Sequence, residues 1–405
     1  MSATPSTPRI LMARGRGLAA SLMAGALMAC SSGQTTLITR EPSTASSTAE
    51  SPERLVGTQP TGTGIPTAPT GPAAMVRVTS IQPDLVCAMP EEDYDILNTV
   101  KTRMSVEAEQ RLKRLLSTDF KSSSLSPQDK AVLKFIAREA LWIPPFVESM
   151  LGDALFNASQ AQLTPMAEEL KEEKAFAVQT LSRVVSASPN TPFRIELMVL
   201  EQGTPSGLMG GRIFIDQTTV SLAMQARPGQ PRRDKLAFIY AHELAHIYKR
   251  HKAKRLQEQL VSMDEAQKLV RLLLTTRPAA GSTNPFADVQ TYLQAMLNMK
   301  AIVDGLRAHQ AHFLQSQEVE ADACAAALMM QGGLGDPLTG FKTYATERGT
   351  SSKGWTLYDD HPADKTRQDI IAYVVDSGRA KKARPLEDVR NNLHRFVKDA
   401  AKRDG

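Results

Sequence analysis

His242-Glu243-Leu244-Ala245-His246 sets two imidazoles four residues apart, with a carboxylate next to the first. On an α-helix, positions i and i+4 lie on one face, so both rings can be aimed at a single divalent metal while Glu243 stands beside a water held there. The run that leads into it, Lys235-Leu236-Ala237-Phe238-Ile239-Tyr240-Ala241, is apolar and free of Pro and Gly, and Asp234 supplies a carboxylate near its start. These residues predict a buried helix that carries the motif, with the acid favoured by the helix dipole.

Zinc suits this donor set and needs a third protein ligand. The metzincin pattern, with Gly and His three and six residues beyond the second histidine, is excluded because Lys249 and Lys252 stand there. His251 lies five residues past His246, about 140° away around a continuous helix. It is expected outside the metal shell, as a solvated helix-end residue within the basic run Lys249–Arg255. Further on, Ser316-Gln317-Glu318-Val319-Glu320-Ala321-Asp322 opens an Ala-rich helical stretch to about Gln331. Glu318 and Asp322 share a face, whereas Glu320 is about 200° from Glu318 and points elsewhere. Glu318 is therefore the candidate third ligand. Asp322 is the candidate acceptor for the free ring N–H of a ligand histidine, a contact that fixes the tautomer and raises the ligand's basicity. The small side chains of Ala321, Ala323, Ala325, Ala326 and Ala327 would let this helix approach the motif helix closely.

Three separated blocks carry a family resemblance: the metal helix from His242 to His251, the ExxAD-like Glu318-Val319-Glu320-Ala321-Asp322, and the strand Gly210-Gly211-Arg212-Ile213-Phe214-Ile215-Asp216 ahead of the metal helix. A fourth, His361-Pro362 followed by Arg367 and the apolar Ile370-Ile371-Ala372-Tyr373-Val374, is in order. Together they resemble the M48 family of zinc metallopeptidases, which includes HtpX-like membrane proteases, CAAX prenyl endopeptidases and bacterial periplasmic lipoproteins. The resemblance implies an α+β fold: a mostly helical zincin (gluzincin) domain with a small β-hairpin or sheet beside the HExxH helix. It also implies one Zn2+ per chain held by His242, His246 and Glu318, and peptide hydrolysis in which Glu243 is first base and then acid. His361 and Arg367 are candidate donors to the developing oxyanion. His361 can instead reach the metal, and the pair can equally be a turn with a surface Arg. Phe193–Val199 and Arg212–Ile215 read as a hairpin joined by Gly-rich turns. In such peptidases an edge strand binds the substrate backbone, which makes Gly211, Arg212, Ile213 and Phe214 candidate contacts for unfolded or extended protein substrates.

At the N-terminus, Arg9, Arg14 and Arg16 precede the apolar run Leu18–Ala29, the length of a secretion signal and short for a membrane span. Leu27-Met28-Ala29-Cys30 resembles a bacterial lipoprotein cleavage box. Cys30 would then be lipidated on the periplasmic side of the cell envelope, and Ser31 after it implies the outer membrane. Residues 1–29 form the signal, and 30–75, dense in Ser, Thr, Pro and Gly, an unfolded tether with a reach of about 40 Å. The expected body comprises a helical part over 76–190, a zinc peptidase core over 191–376 and a basic helical tail over 377–405. Within it, Ser126-Pro127 reads as a helix start, and helices are expected over Leu97–Leu116, Met166–Val185 and Pro285–Leu314. Cys87 and Cys324 are either a disulfide or two buried thiols. The net charge of +5 falls to +2 without Arg9, Arg14 and Arg16. That is too small a bias to suggest a nucleic-acid partner. Two functions follow: a lipid-anchored zinc endopeptidase acting on misfolded or misassembled envelope proteins, or a non-proteolytic assembly factor or chaperone using the same fold as a scaffold. Oligomeric state is not legible.

Overall fold

A computed structural model of the chain describes residues 36–38, 77–78, 80–90, 104–117, 125–263, 314–347, 365–379 and 384–402. Its strands are β1 (Thr36–Ile38), β2 (Arg77–Val78), β3 (Ile195–Leu200), β4 (Ser206–Leu208), β5 (Arg212–Asp216) and β6 (Arg384–Pro385). After a single turn at Pro83–Val86 come the helices α1 (Val106–Ser117), α2 (Pro127–Glu139), α3 (Pro145–Ser159) and α4 (Lys171–Ser186). Beyond β5 follow α5 (Gln217–Gln225), α6 (Pro231–Tyr248) and α7 (His251–Ser262), then α8 (Gln315–Gly332), α9 (Pro337–Glu347), α10 (Lys365–Arg379) and α11 (Leu386–Ala401). The result is a mostly helical α+β fold of zincin type. The expected signal, Cys30, the helix over 285–313 and His361-Pro362 lie outside the described residues. Among those described, no helix is long and apolar enough to cross a membrane.

The central sheet has the order β1-β3-β5-β4. β3 and β5 are parallel, with Leu197 opposite Ile213, and β4 runs antiparallel to β5, with Gly207 opposite Ile213. The expected hairpin between β3 and β5 is therefore replaced by a crossover. The chain leaves β3, forms the short strand β4 two positions away, and turns back at Gly210-Gly211 to insert β5 between them. Gly211 has a φ of 106°, and a Cβ there would sit 2.2 Å from the Arg194 carbonyl oxygen, so the turn requires glycine. Thr36–Ile38, expected within an unfolded tether, instead pairs with Leu197, Glu196 and Ile195 on the outer side of β3.

The sheet is covered on both faces, which explains why its strands are apolar at nearly every position. Ile195, Leu197, Val199, Ile213 and Ile215 face one core with α6 and α8; Met198, Leu200, Leu208 and Phe214 face another built largely from α1–α3 and α7. Ser126 caps α2 in a reciprocal box with Asp129. α4 starts at Lys171 rather than Met166, because the residues before it are tied to β3: Met166 N–H donates to the Val199 carbonyl and Glu201 N–H to the Thr164 carbonyl. Cys87 and Cys324 are both fully buried and form a disulfide between the early segment and α8.

α6 is buried continuously from Leu236 to Tyr248. Helix α9 packs against it through Gly340, where a Cβ would lie 2.5 Å from the Asp234 carbonyl oxygen and 2.8 Å from the Phe238 Cβ. Since one obstacle is backbone, Gly340→Ala is expected to lower stability by about 1–3 kcal/mol. The change should appear as a lower urea midpoint with an unaltered slope. An unaltered midpoint would show that α9 shifts freely on α6.

Candidate metal centre

α6 begins with Pro231 at its first position and carries Asp234 in its first turn. It delivers His242 and His246 to one face, with their Nε2 atoms 3.0 Å apart. Glu318 comes from the first turn of α8, whose start is capped by the Gln317 side chain accepting the Leu314 N–H. Its two oxygens lie 3.4 Å from His242 Nε2 and 3.3 Å from His246 Nε2. Ligands around a tetrahedral zinc at its usual bond lengths are separated by about 3.3–3.4 Å. The three donor atoms therefore fit one zinc ion. Among the described residues they are the one cluster of His, Cys, Asp and Glu able to hold a metal, and all three are buried.

Behind the trio, Asp322 Oδ1 lies 3.0 Å from His242 Nδ1. Arg367, from α10, donates through Nε and Nη2 to both oxygens of Asp322, at 2.6 and 2.9 Å, and directs Nη1 to Glu318 Oε2 at 2.9 Å. Phe341 of α9 covers the guanidinium at 5.3 Å. The sequence offers Arg367 as an oxyanion donor or as a surface residue after a turn. In the structure it has no exposure, and all three of its nitrogens are directed at carboxylates. Burial disfavours charge on His242, but its hydrogen bonds to Asp322 and Glu318 outweigh that and push its pKa up to about 9. Burial holds His246 well below its ordinary value. Without metal the pocket thus retains a proton on His242, which an incoming zinc ion must displace.

His251 differs most from expectation. It is fully buried rather than solvated, because the motif helix ends at Tyr248 and Arg250 takes a left-handed conformation (φ 52°, ψ 35°) that starts α7 in a new direction. That conformation costs a non-glycine residue about 1–2 kcal/mol. Arg250 offsets it with a buried bond from Nε to Glu148 at 2.9 Å and another to the Ile143 carbonyl. The turn brings His251 Nδ1 to 3.0 Å from His246 Nδ1, and places His251 Nε2 3.0 Å from Glu320 Oε2. Glu320 points away from the metal trio, as its place on the helix predicts, and meets His251 instead. Lys252 is also buried: desolvation pulls its pKa down to about 8 against the opposing charges of Glu243 and Glu318. No sequence signal marks it, since the surrounding basic run reads as a solvated helix end.

Glu243 is 1 % exposed and accepts a 2.6 Å hydrogen bond from the Gly207 N–H of β4. A Cβ on Gly207 would lie 3.2 Å from the Glu243 carbonyl oxygen, so this close approach favours glycine. β4 is thus the strand beside the motif, and it is the outer strand of the sheet among the described residues. Gly211, Arg212, Ile213 and Phe214, read as substrate contacts, mostly belong to β5, which is paired on both sides. Ile213 and Phe214 are fully buried, so that strand has no open edge for another backbone.

A buried HExxH helix, a carboxylate from a second helix and a small sheet alongside define a zincin-type metallopeptidase domain. Residues 202–374 match the model of Peptidase family M48, so this segment is an M48 peptidase domain, a match that implies a zinc metallopeptidase. The matched segment contains β4, β5, the motif helix, Glu318 and Arg367. No curated protein sequence gives a significant match.

Arg367→Met would leave Glu318 and Asp322 buried without their shared cation. Metal-free variant protein is expected to lose about 3–5 kcal/mol of stability. Saturating zinc should restore part of it by binding the folded state. Equal stability of variant and wild type without metal would remove the charge-matching role.

Proposed function

We propose that the protein is a lipid-anchored zinc endopeptidase that hydrolyses peptide bonds in unfolded or misassembled cell-envelope proteins. The observation that carries this reading is the convergence of His242, His246 and Glu318 at zinc-ligand spacing beside the Glu243 carboxylate. When bound there, zinc would supply Lewis acidity that brings the pKa of water toward about 7. Glu243 takes the proton from water as it attacks the scissile carbonyl and then delivers it to the leaving amine. The Gly207 N–H holds one oxygen of that carboxylate in place. Asp322 orients His242, and Arg367 positions Asp322 and Glu318 from behind.

The outer strand β4, next to Glu243, is the candidate edge for an extended substrate. Backbone pairing of that kind reads side chains weakly and favours segments that are not folded. The apolar run to Ala29, Cys30 and the Ser/Thr/Pro/Gly-rich segment behind it support anchoring in the cell envelope, at the outer membrane.

Wild type, Glu243→Gln and chelator-treated protein should be compared for zinc content and for cleavage of casein. The expected result is about one zinc per chain in both untreated proteins, with turnover lost by about 10²-fold or more in the Gln variant and abolished by the chelator. An active Gln variant would sink the role of Glu243. A zinc-loaded wild type that binds unfolded protein without cleaving it would replace the peptidase with a scaffold.

A further inference from the structure

The two ligand histidines turn their second ring nitrogens toward different kinds of partner. His242 Nδ1 faces a carboxylate directly, Asp322 at 3.0 Å. His246 Nδ1 faces another imidazole, His251, which in turn contacts Glu320. Both contacts are 3.0 Å, and His251 has no exposure, while the Glu320 side chain is 31 % exposed.

A contact between two ring nitrogens needs one N–H and one lone pair. If His246 ligates a metal through Nε2, its proton must reside on Nδ1, so His246 donates to His251 Nδ1. His251 then carries its own proton on Nε2, where it donates to Glu320. The reverse direction would place a proton on His246 Nε2, the atom that faces His242 Nε2 and Glu318. With neutral rings, only one pair of tautomers satisfies the contacts and leaves a lone pair for the metal.

We infer that His251 and Glu320 form a relay that fixes the tautomer and ring orientation of His246, so that they are positioning residues for the metal and not ligands to it. The inference rests on the zinc reading above. The left-handed Arg250 makes the relay geometrically available, because a continuous helix would carry His251 about 140° away from His246. Glu148 and the Ile143 carbonyl hold Arg250 in that conformation. The relay also lets a carboxylate near solvent act on a buried ligand without itself entering the pocket beside Glu318 and Asp322.

The test separates acceptor from volume. In His251→Asn the side-chain oxygen stands close to the original Nδ1 and can accept the His246 N–H, but the ring is lost; in His251→Phe the ring volume stays and the acceptor is lost. Zinc affinity, measured by competition with a chromophoric chelator, is expected to fall about 10–100-fold for Phe and to stay within about threefold of wild type for Asn. The visible absorption of the cobalt-substituted protein should shift in the Phe variant and not in the Asn variant. Wild-type affinity in the Phe variant, or equal weakness in both, would overturn the relay and leave His251 as packing. Should the Phe variant not fold, His251→Ala against His251→Asn gives the same contrast, with Ala expected to be the weaker binder. Wild-type protein unable to hold zinc is a different result, which overturns the metal reading beneath.

Discussion

Two carboxylates removed from water must be matched by positive charge, and this constraint organises the pocket. Glu318 and Asp322 have no exposure, and an uncompensated buried carboxylate costs several kcal/mol. Arg367 provides that compensation, with one guanidinium serving both acids under the cover of Phe341. Two carboxylates against one guanidinium leave one negative charge, which a proton on His242 balances before any metal arrives and a divalent cation would balance in its place. The requirement reaches well beyond the HExxH helix. It ties α8 to α10 and α9 to both, so the helices that follow the third ligand are part of the metal centre and not an appendage.

The remaining geometry depends on two backbone devices. At Arg250 a left-handed residue ends the motif helix one turn beyond its second histidine and returns His251 toward it. At Gly207 a strand lacking a side chain comes close enough for its N–H to hold Glu243. The first device controls the rear of the site and the second its front. Both rely on the second core: Glu148 and Ile143 belong to the α3 region, and β4 is fixed through β5 to a sheet whose other face packs on α1–α3 and α7.

Much of the site could be read from spacing alone. The i, i+4 rule is a property of every α-helix, so His242 with His246 and Glu318 with Asp322 are legible as two faces before any coordinates are known. The buried helix around them was legible because the preceding run is uniformly apolar. His251 was misread because the same rule assumes an unbroken helix, and arginine gives no sign of a break; the stabilising bonds of Arg250 come from residues more than a hundred positions earlier. Arg367 was found but given the wrong surroundings, since nothing local distinguishes a guanidinium aimed at substrate from one buried behind the ligands. The strand order was misjudged because Ser206–Leu208 is too short to show a pattern. Gly207 within it, between Gly203 and Gly210-Gly211, suggested only a turn.

The covalent link between Cys87 and Cys324 spans 237 positions of sequence. It encloses β3, β4, β5, the motif helix and Glu318 within a closed loop of chain, with β1 outside it. A pulling force applied between the two ends of the polypeptide would cross the sulfur bridge directly into α8 and bypass every residue in between. The histidine-bearing helix is thereby mechanically shielded: once β1 parts from β3, tension from the N-terminal side enters α8 beyond the turn that carries the third ligand.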